Sequence, residues 1–159
     1  MTAELTGTAE LTGTAELPSG SLEFAALYAQ AQHFYARQMR ILDTHDTESW
    51  ADTFTEDAVL ELPTLYEPVR ARAALTHYVR AGAARQRRAG RRLDHWVGML
   101  DVRPRADGAL RTRCSALVYA TPTGGGPRVL YVYVMEDLLV RTHGTWRAAH
   151  RRVTRDDLA

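Results

Sequence analysis

From Phe24 to Leu42, apolar residues recur at steps of three and four along the chain. This spacing places them on one face of a helix that lies on a core. Ser21 precedes the pattern and is a suitable N-cap, so we expect a long amphipathic helix that ends at Asp43. A short second helix is predicted in "HDTESWADTF", with Asp46 or Thr47 as its cap.

The next segment changes character twice before Gly90. "AVLELP" predicts a short strand that ends at Pro63, "TLYEP" is typical of a loop, and a third helix is predicted roughly from Ala71 to Arg88. After Gly90 the apolar residues alternate with period two, which is typical of strands. The strand candidates are 93–103, 110–121, 128–141 and 145–154, and turn-rich segments connect them.

Three helices and one short strand, followed by an antiparallel four-strand meander, predict an α+β fold. We expect a cone-shaped single domain, in which about three N-terminal helices pack in a curved, mostly antiparallel sheet. The first 17 residues repeat "TAELTG" with a period of six, which fits neither helix nor strand. The sequence therefore predicts a disordered repeat tail over residues 1–20 and a domain over 21–159.

The bulk composition limits the classes of function. With 159 residues, of which 45% are hydrophobic, the chain can bury a core, and its net charge of +1 gives no reason to expect nucleic acid. Six arginines lie between residues 80 and 92; such a run is usually a solvated helix face, although a patch for nucleic acid or an acyl-carrier partner is the other interpretation. All 20 basic residues are arginines, which indicates a GC-rich genome such as an actinobacterial one.

Cysteine content and hydropathy limit the compartment. The single Cys114 excludes an internal disulfide and a cysteine metal site. No run approaches the roughly 20 apolar residues of a membrane span, and no signal peptide is apparent, so we expect a cytoplasmic protein.

His95 interrupts an apolar row in "RLDHWVGMLDV". Period two places it on one strand face with Leu93, Val97 and Met99, whereas the other face carries Trp96, Leu100 and Val102. The histidine is therefore either a core residue bonded to backbone or an imidazole that faces a cavity. An imidazole with its ordinary pKa of about 6.5 suits proton transfer near neutral pH.

Asp43 occupies an electrostatically poor position, because a helix C-terminus carries partial negative charge. Hydrogen bonding within the "DTHD" bend would explain the acid, and a functional carboxylate would explain it equally well. The sequence of the first helix leaves both explanations open.

Aromatic hydroxyls cluster on two later strands. Tyr131, Tyr133, Met135 and Asp137 share one face of "VLYVYVMEDLLV", and Tyr119 shares a face with Leu117 on the preceding strand. Such residues suit a cavity for a flat, oxygenated aromatic ligand, although a packed interior is the simpler explanation. Asp137 is either a site residue or one half of an ion pair with an arginine of the last strand, such as Arg152.

Three stretches carry a family resemblance: "D-x-x-D-x-x-x-W" with "FTEDAV" after it, "HWVG", and "GTWRAAHRRV". Over residues ~22 to 157 the chain resembles the nuclear-transport-factor-two-like α+β cone, in its SnoaL-like and scytalone-dehydratase-like branch. This group contains polyketide cyclases, dehydratases, ketosteroid isomerase and the small subunits of ring-hydroxylating dioxygenases.

The resemblance implies that Asp43 and His95 are a catalytic, hydrogen-bonded pair. Leu42 stands where the dehydratases have a tyrosine, Tyr119 where they have a second histidine, and Tyr133 and Met135 where they have serine and asparagine. The substrate contacts therefore differ from those of a scytalone dehydratase.

The function expected from this resemblance is acid–base chemistry on a polyketide or similar small molecule, with neither cofactor nor metal. Tyr119, Tyr131, Tyr133, Met135 and Asp137 are the candidate substrate contacts. A binding or chaperone protein and a structural dioxygenase subunit are the competing interpretations. We also expect a homodimer, formed through an outer sheet face that carries Trp96, Leu100 and Val102.

Overall fold

The computed structural model describes residues 20–158, so the predicted repeat tail falls outside the described residues. The described part contains three α-helices: α1 (Leu22–Asp43), α2 (Thr47–Ala51) and α3 (Arg72–Arg88). It contains six strands: β1 (Phe54–Glu61), β2 (Val69–Arg70), β3 (Arg91–Pro104), β4 (Leu110–Pro122), β5 (Arg128–Thr142) and β6 (Thr145–Thr154). The first and third helices and the four long strands lie where the sequence predicts them. The second helix is shorter than predicted, because β1 already begins at Phe54, and β1 ends at Glu61 instead of Pro63; β2 is an addition.

Side-chain caps define where the first two helices begin. The Ser21 hydroxyl accepts a hydrogen bond from the backbone N–H of Phe24 at 3.0 Å, and the Asp46 carboxylate accepts one from Ser49 at 3.2 Å. Each bond satisfies a helix N–H that has no partner within the helix. The cap of the second helix is therefore Asp46 and not Thr47.

The strands form one curved sheet in the order β2-β1-β6-β5-β4-β3. The pairs from β3 to β6 are antiparallel, as the meander predicts, and β1 runs parallel to β6, so the sheet is mixed. It curves around α1, whose buried face carries Ala31, Phe34, Tyr35, Gln38 and Met39. The predicted α+β fold of a single curved sheet packed with helices is confirmed.

A β-bulge in β3 changes which residues face the core. Gly98 pairs with Ser115 and Asp101 with Arg113, so β3 carries one extra residue between these pairs. Met99, at the bulge, has a φ of +54° and is exposed. The alternation then resumes out of phase, so Val102 is buried at 4% exposure. The prediction that Leu100 and Val102 lie on an outer face with Trp96 is therefore wrong, because both pack on the core side. The prediction that Met99 shares the face of His95 is also wrong.

The core lies between α1 and the inner face of β4, β5 and β6. Cys114 is part of it, and burial raises the pKa of its thiol to about 12. No helix among residues 20–158 is both long and apolar enough to cross a bilayer.

Candidate active site

Asp43 and His95 touch across the end of α1 and the start of β3. The Asp43 Oδ1 atom lies 2.6 Å from His95 Nδ1, and Asp43 Oδ2 accepts a hydrogen bond from the backbone N–H of His95 at 3.1 Å. The two side chains are 17% and 16% exposed, so both are shielded but reachable. The carboxylate therefore binds the histidine at two points, the ring nitrogen Nδ1 and the backbone N–H, and fixes its position.

The contact determines which ring nitrogen can act as a base. A carboxylate only accepts hydrogen bonds, so His95 Nδ1 carries the proton that it donates to Asp43. Nε2 is then the unprotonated nitrogen of the neutral ring. Among the described residues, no protein group is hydrogen-bonded to Nε2. This nitrogen is consequently available to a ligand.

His95 stands between two cavities that share part of their walls. An inner chamber of about 210 Å³ lies beneath it, and an outer vestibule of about 190 Å³ adjoins Asp43. Leu42, Tyr78 and Val79 line both spaces together with His95. The imidazole therefore borders both spaces.

Most of the chamber wall is apolar. Two of the predicted contact residues belong to it, because Tyr133 and Met135 point inward from β5. Burial raises the pKa of the Tyr133 phenol, although Arg155 acts in the opposite direction. The phenol therefore stays protonated near neutral pH and can donate a hydrogen bond.

Asp137 is buried in an ion pair instead of lining the chamber. Its Oδ1 and Oδ2 atoms accept hydrogen bonds from Arg151 Nε at 2.8 Å and Arg151 Nη2 at 2.6 Å. The Tyr35 hydroxyl donates to Oδ2 at 2.7 Å. An ion pair with the last strand was expected, but its partner is Arg151 and not Arg152, which contacts Glu61.

A second bulge explains this difference. Leu139 pairs with Ala148 and Leu138 with His150, so β6 carries an extra residue at Ala149. The inward positions therefore shift by one, from His150 and Arg152 to Arg151 and Val153.

Two further candidates lie elsewhere. The inward residues of β4 are its even-numbered ones, so Tyr119 and Leu117 share the opposite face, and the expectation that Tyr119 faces the cavity is wrong. Tyr131 is on the inward row but does not line the chamber; its ring centroid lies 4.1 Å from the guanidinium carbon of Arg155.

Trp50 and Arg151 line the chamber, although the sequence did not single them out for this role. Trp50 belongs to the "D-x-x-D-x-x-x-W" stretch, which was the available signal. Within residues 20–158, no group of three or more His, Cys, Asp or Glu side chains is arranged to hold a metal ion.

The sequence model of the family described as "SnoaL-like domain" matches residues 23–152, which is most of the chain. The chain belongs to the SnoaL-like family. No match was found among the curated proteins.

Solved structures resemble this SnoaL-like protein over most of its length. Aln2 from a Streptomyces species is 34% identical, with a TM-score of 0.79 over 90% of this chain and 96% of Aln2. ActVI-ORFA from Streptomyces coelicolor is 26% identical, with a TM-score of 0.77 over 83% of this chain and 96% of its own. A protein of Catenulispora acidiphila in complex with S-DNPA is 34% identical, with a TM-score of 0.72 over 84% of this chain and 96% of its own.

Proposed function

We propose that this SnoaL-like protein is an acid–base enzyme, a dehydratase, cyclase or isomerase, that acts on a polyketide or a similar secondary-metabolite intermediate. The observation that carries the proposal is the Asp43–His95 hydrogen bond at the junction of the vestibule and the chamber. The SnoaL-like family and the small molecule bound to the Catenulispora relative support a small-molecule substrate.

The proposed reaction begins with proton abstraction next to a ketone. His95 Nε2 takes a proton from the α-carbon while Asp43 stabilises the imidazolium that forms. The Tyr133 hydroxyl donates to the ketone oxygen, on which negative charge develops as the enolate forms. In a dehydration, the enolate expels a β-hydroxyl group, which receives the proton from His95 and leaves as water. Cyclisation and isomerisation use the same first step.

Two other functions compete with catalysis. A binding protein that holds a reactive intermediate would need the chamber but not a base with a free nitrogen. A structural dioxygenase subunit would need neither. The positioned histidine favours the enzyme over both.

The test uses two small ketones that fit the proposed chemistry. With 3-hydroxy-1-tetralone, loss of water gives 1-naphthol, which absorbance detects. With 2-tetralone in D₂O, NMR detects deuterium exchange at the α-carbon. We expect His95→Gln and Asp43→Asn each to lower both rates roughly 10²–10⁴-fold, the usual contribution of a positioned acid–base group.

His33→Gln and Asp57→Asn are the matched controls, because they make the same substitutions at exposed positions. They should retain the wild-type rates, and circular dichroism should show all four variants folded. Unchanged turnover in folded His95→Gln and Asp43→Asn would remove the pair from the mechanism. Tight binding of 2-tetralone by the wild type, without exchange above that of His95→Gln, would favour the binding protein.

A further inference from the structure

Arg151 is a buried cation in the chamber wall. It is only 3% exposed, and it lines the inner chamber together with His95 and Tyr133. Its guanidinium carries five N–H donors. One donor on Nε and two on Nη2 are engaged, since Nε and Nη2 bind the Asp137 carboxylate and Nη2 also donates to Gln38 Oε1 at 2.7 Å.

The remaining donors are on Nη1. Among the described residues, Nη1 makes no hydrogen bond. Two side-chain polar atoms of these residues are both unbonded and sealed from solvent, Trp50 Nε1 and Thr55 Oγ1, and Nη1 is not one of them. Nη1 therefore retains accessible surface in a residue that is otherwise enclosed and that lines the chamber. Burying a charged donor without a hydrogen-bond partner costs free energy. An arginine whose only role was the ion pair would therefore be more stable if Nη1 were bonded to a protein group.

The guanidinium is held so that Nη1 cannot turn away. Asp137 binds the Nε–Nη2 edge at two points. Gln38, which accepts from Nη2, donates through its amide to Thr53 Oγ1 at 2.6 Å, and Thr53 donates to the Trp50 carbonyl at 2.6 Å. This network preorganises Nη1 as a donor, because no protein group has to reorient when an acceptor arrives.

Charge indicates which acceptor fits. Asp137 already neutralises Arg151, and despite the opposing effect of burial it holds the pKa of Arg151 above its usual value. A carboxylate ligand would bring an unbalanced negative charge into a mostly apolar chamber, which is unfavourable. A ketone or phenol oxygen would not.

We propose that Arg151 Nη1 is a substrate-binding subsite for an uncharged carbonyl or phenol oxygen at the deep end of the chamber. The proposal rests on the chamber being the substrate site of the proposed function. Arg151 on β6 and His95 on β3 lie three strands apart in the sheet, and both line the chamber. In the proposed complex, a flat ring system in the chamber presents its oxygen to Arg151 and its reactive edge to His95.

The test compares three probes of one ring system in solution: 2-naphthol, 2-methylnaphthalene and 2-naphthoate. For the wild type we expect 2-naphthol to bind roughly 10–100-fold more tightly than 2-methylnaphthalene, the usual effect of a hydrogen bond to a charged group. We expect 2-naphthoate to bind more weakly than 2-naphthol. A tighter naphthoate complex would overturn the proposed class of oxygen.

The variant that isolates the subsite is Arg151→Gln combined with Asp137→Asn, which replaces the ion pair by a neutral hydrogen-bonding pair. In it, the preference for 2-naphthol over 2-methylnaphthalene should fall to about twofold or less. Arg152→Gln combined with Glu61→Gln, which neutralises an ion pair outside the chamber, is the matched control and should keep the preference. Loss of the preference in the control but not in the folded variant of Arg151 and Asp137 would overturn the proposal.

A crystal of the wild type with 6-bromo-2-naphthol gives an answer that does not depend on the folding of any variant. The anomalous signal of bromine marks one end of the ligand, so the hydroxyl end is identified. We expect the oxygen within about 3.2 Å of Arg151 Nη1. An oxygen in the vestibule would overturn the subsite. Both binding tests need no turnover, so the subsite would stand even if His95 proved catalytically unimportant, and the reverse also holds.

Discussion

Asp137 is a carboxylate whose side chain has no exposure to water, and buried polar side chains converge on it. Arg151 and Tyr35 bind it directly, and Tyr35 also contacts Thr112 at 2.5 Å. Burial, and secondarily the charge of Asp137, raises the pKa of Tyr35 well above its ordinary value, so the phenol remains a donor. The cluster joins α1 to β4, β5 and β6 at a single point.

Removing this carboxylate should therefore be severely destabilising. Asp137→Ala leaves the Arg151 charge buried without its counterion, which typically costs about 3–5 kcal/mol in free energy of unfolding. Glu136→Ala is the matched control, because the adjacent Glu136 pairs with Arg113 at the surface and such pairs contribute roughly 0–1 kcal/mol. Urea unfolding of both variants measures the difference. Equal losses would contradict a special role for the buried pair.

The residues that could be predicted from sequence are those that break a local pattern. His95 interrupts an apolar row and Asp43 sits at an unfavourable helix end, so both were recognisable, and the structure brings them into contact. Arg151 breaks no pattern until the bulge at Ala149 is known, because simple alternation from Trp146 makes it an outward residue. Its burial depends on how β6 pairs with β5, and the alternation of residues along one strand gives no information about that pairing.

At the scale of elements, the bulge in β3 provides a test of backbone strain. Met99 adopts a φ of +54° while its side chain is 86% exposed, so the residue gains little from packing to offset a conformation that favours glycine. Met99→Gly should leave the free energy of unfolding unchanged or raise it by up to about 1 kcal/mol. Thermal or urea unfolding measures this.

The contrasting variant is Val97→Gly, two residues earlier in regular strand, where loss of a partly buried side chain should destabilise the protein by about 1–3 kcal/mol. A larger loss for Met99→Gly than for Val97→Gly would contradict strain at the bulge.

Helices and long strands were predictable because caps and periodicity are local. Bulges were not, because one extra residue leaves composition and hydropathy unchanged.

At the scale of the whole molecule, the outer face of β3, β4 and β5 carries a row of neighbouring apolar residues: Trp96, Leu117 and Val132. Trp96 is 61% exposed, and its indole lies against Gly98, where an added Cβ would approach the ring to 3.1 Å. The ring therefore lies flat on the sheet. A broad apolar surface of this kind usually marks an interface.

We accordingly expect a homodimer that buries this face. Light scattering coupled to gel filtration should give twice the 17.8 kDa mass of the chain. Val132→Arg places a charge in the centre of the row and should shift the protein to a monomer. Tyr66→Arg, a change at a fully exposed aromatic residue elsewhere, should not. A wild-type mass equal to that of one chain would contradict the dimer. From sequence, Trp96 was placed correctly on this face, whereas Leu100 packs against the core and Val102 belongs to it.

The labelling rate of Cys114 can report how often the interior of the protein opens. The thiol is buried on β4, two residues from Ala116 of the chamber wall, and its pKa of about 12 keeps it unreactive at neutral pH. A thiol reagent can therefore react only during transient opening. A ligand that fills the chamber stabilises the closed state, so 2-naphthol should slow labelling in proportion to 1 + [L]/Kd. Labelling that ignored the ligand would place its binding site away from this part of the sheet.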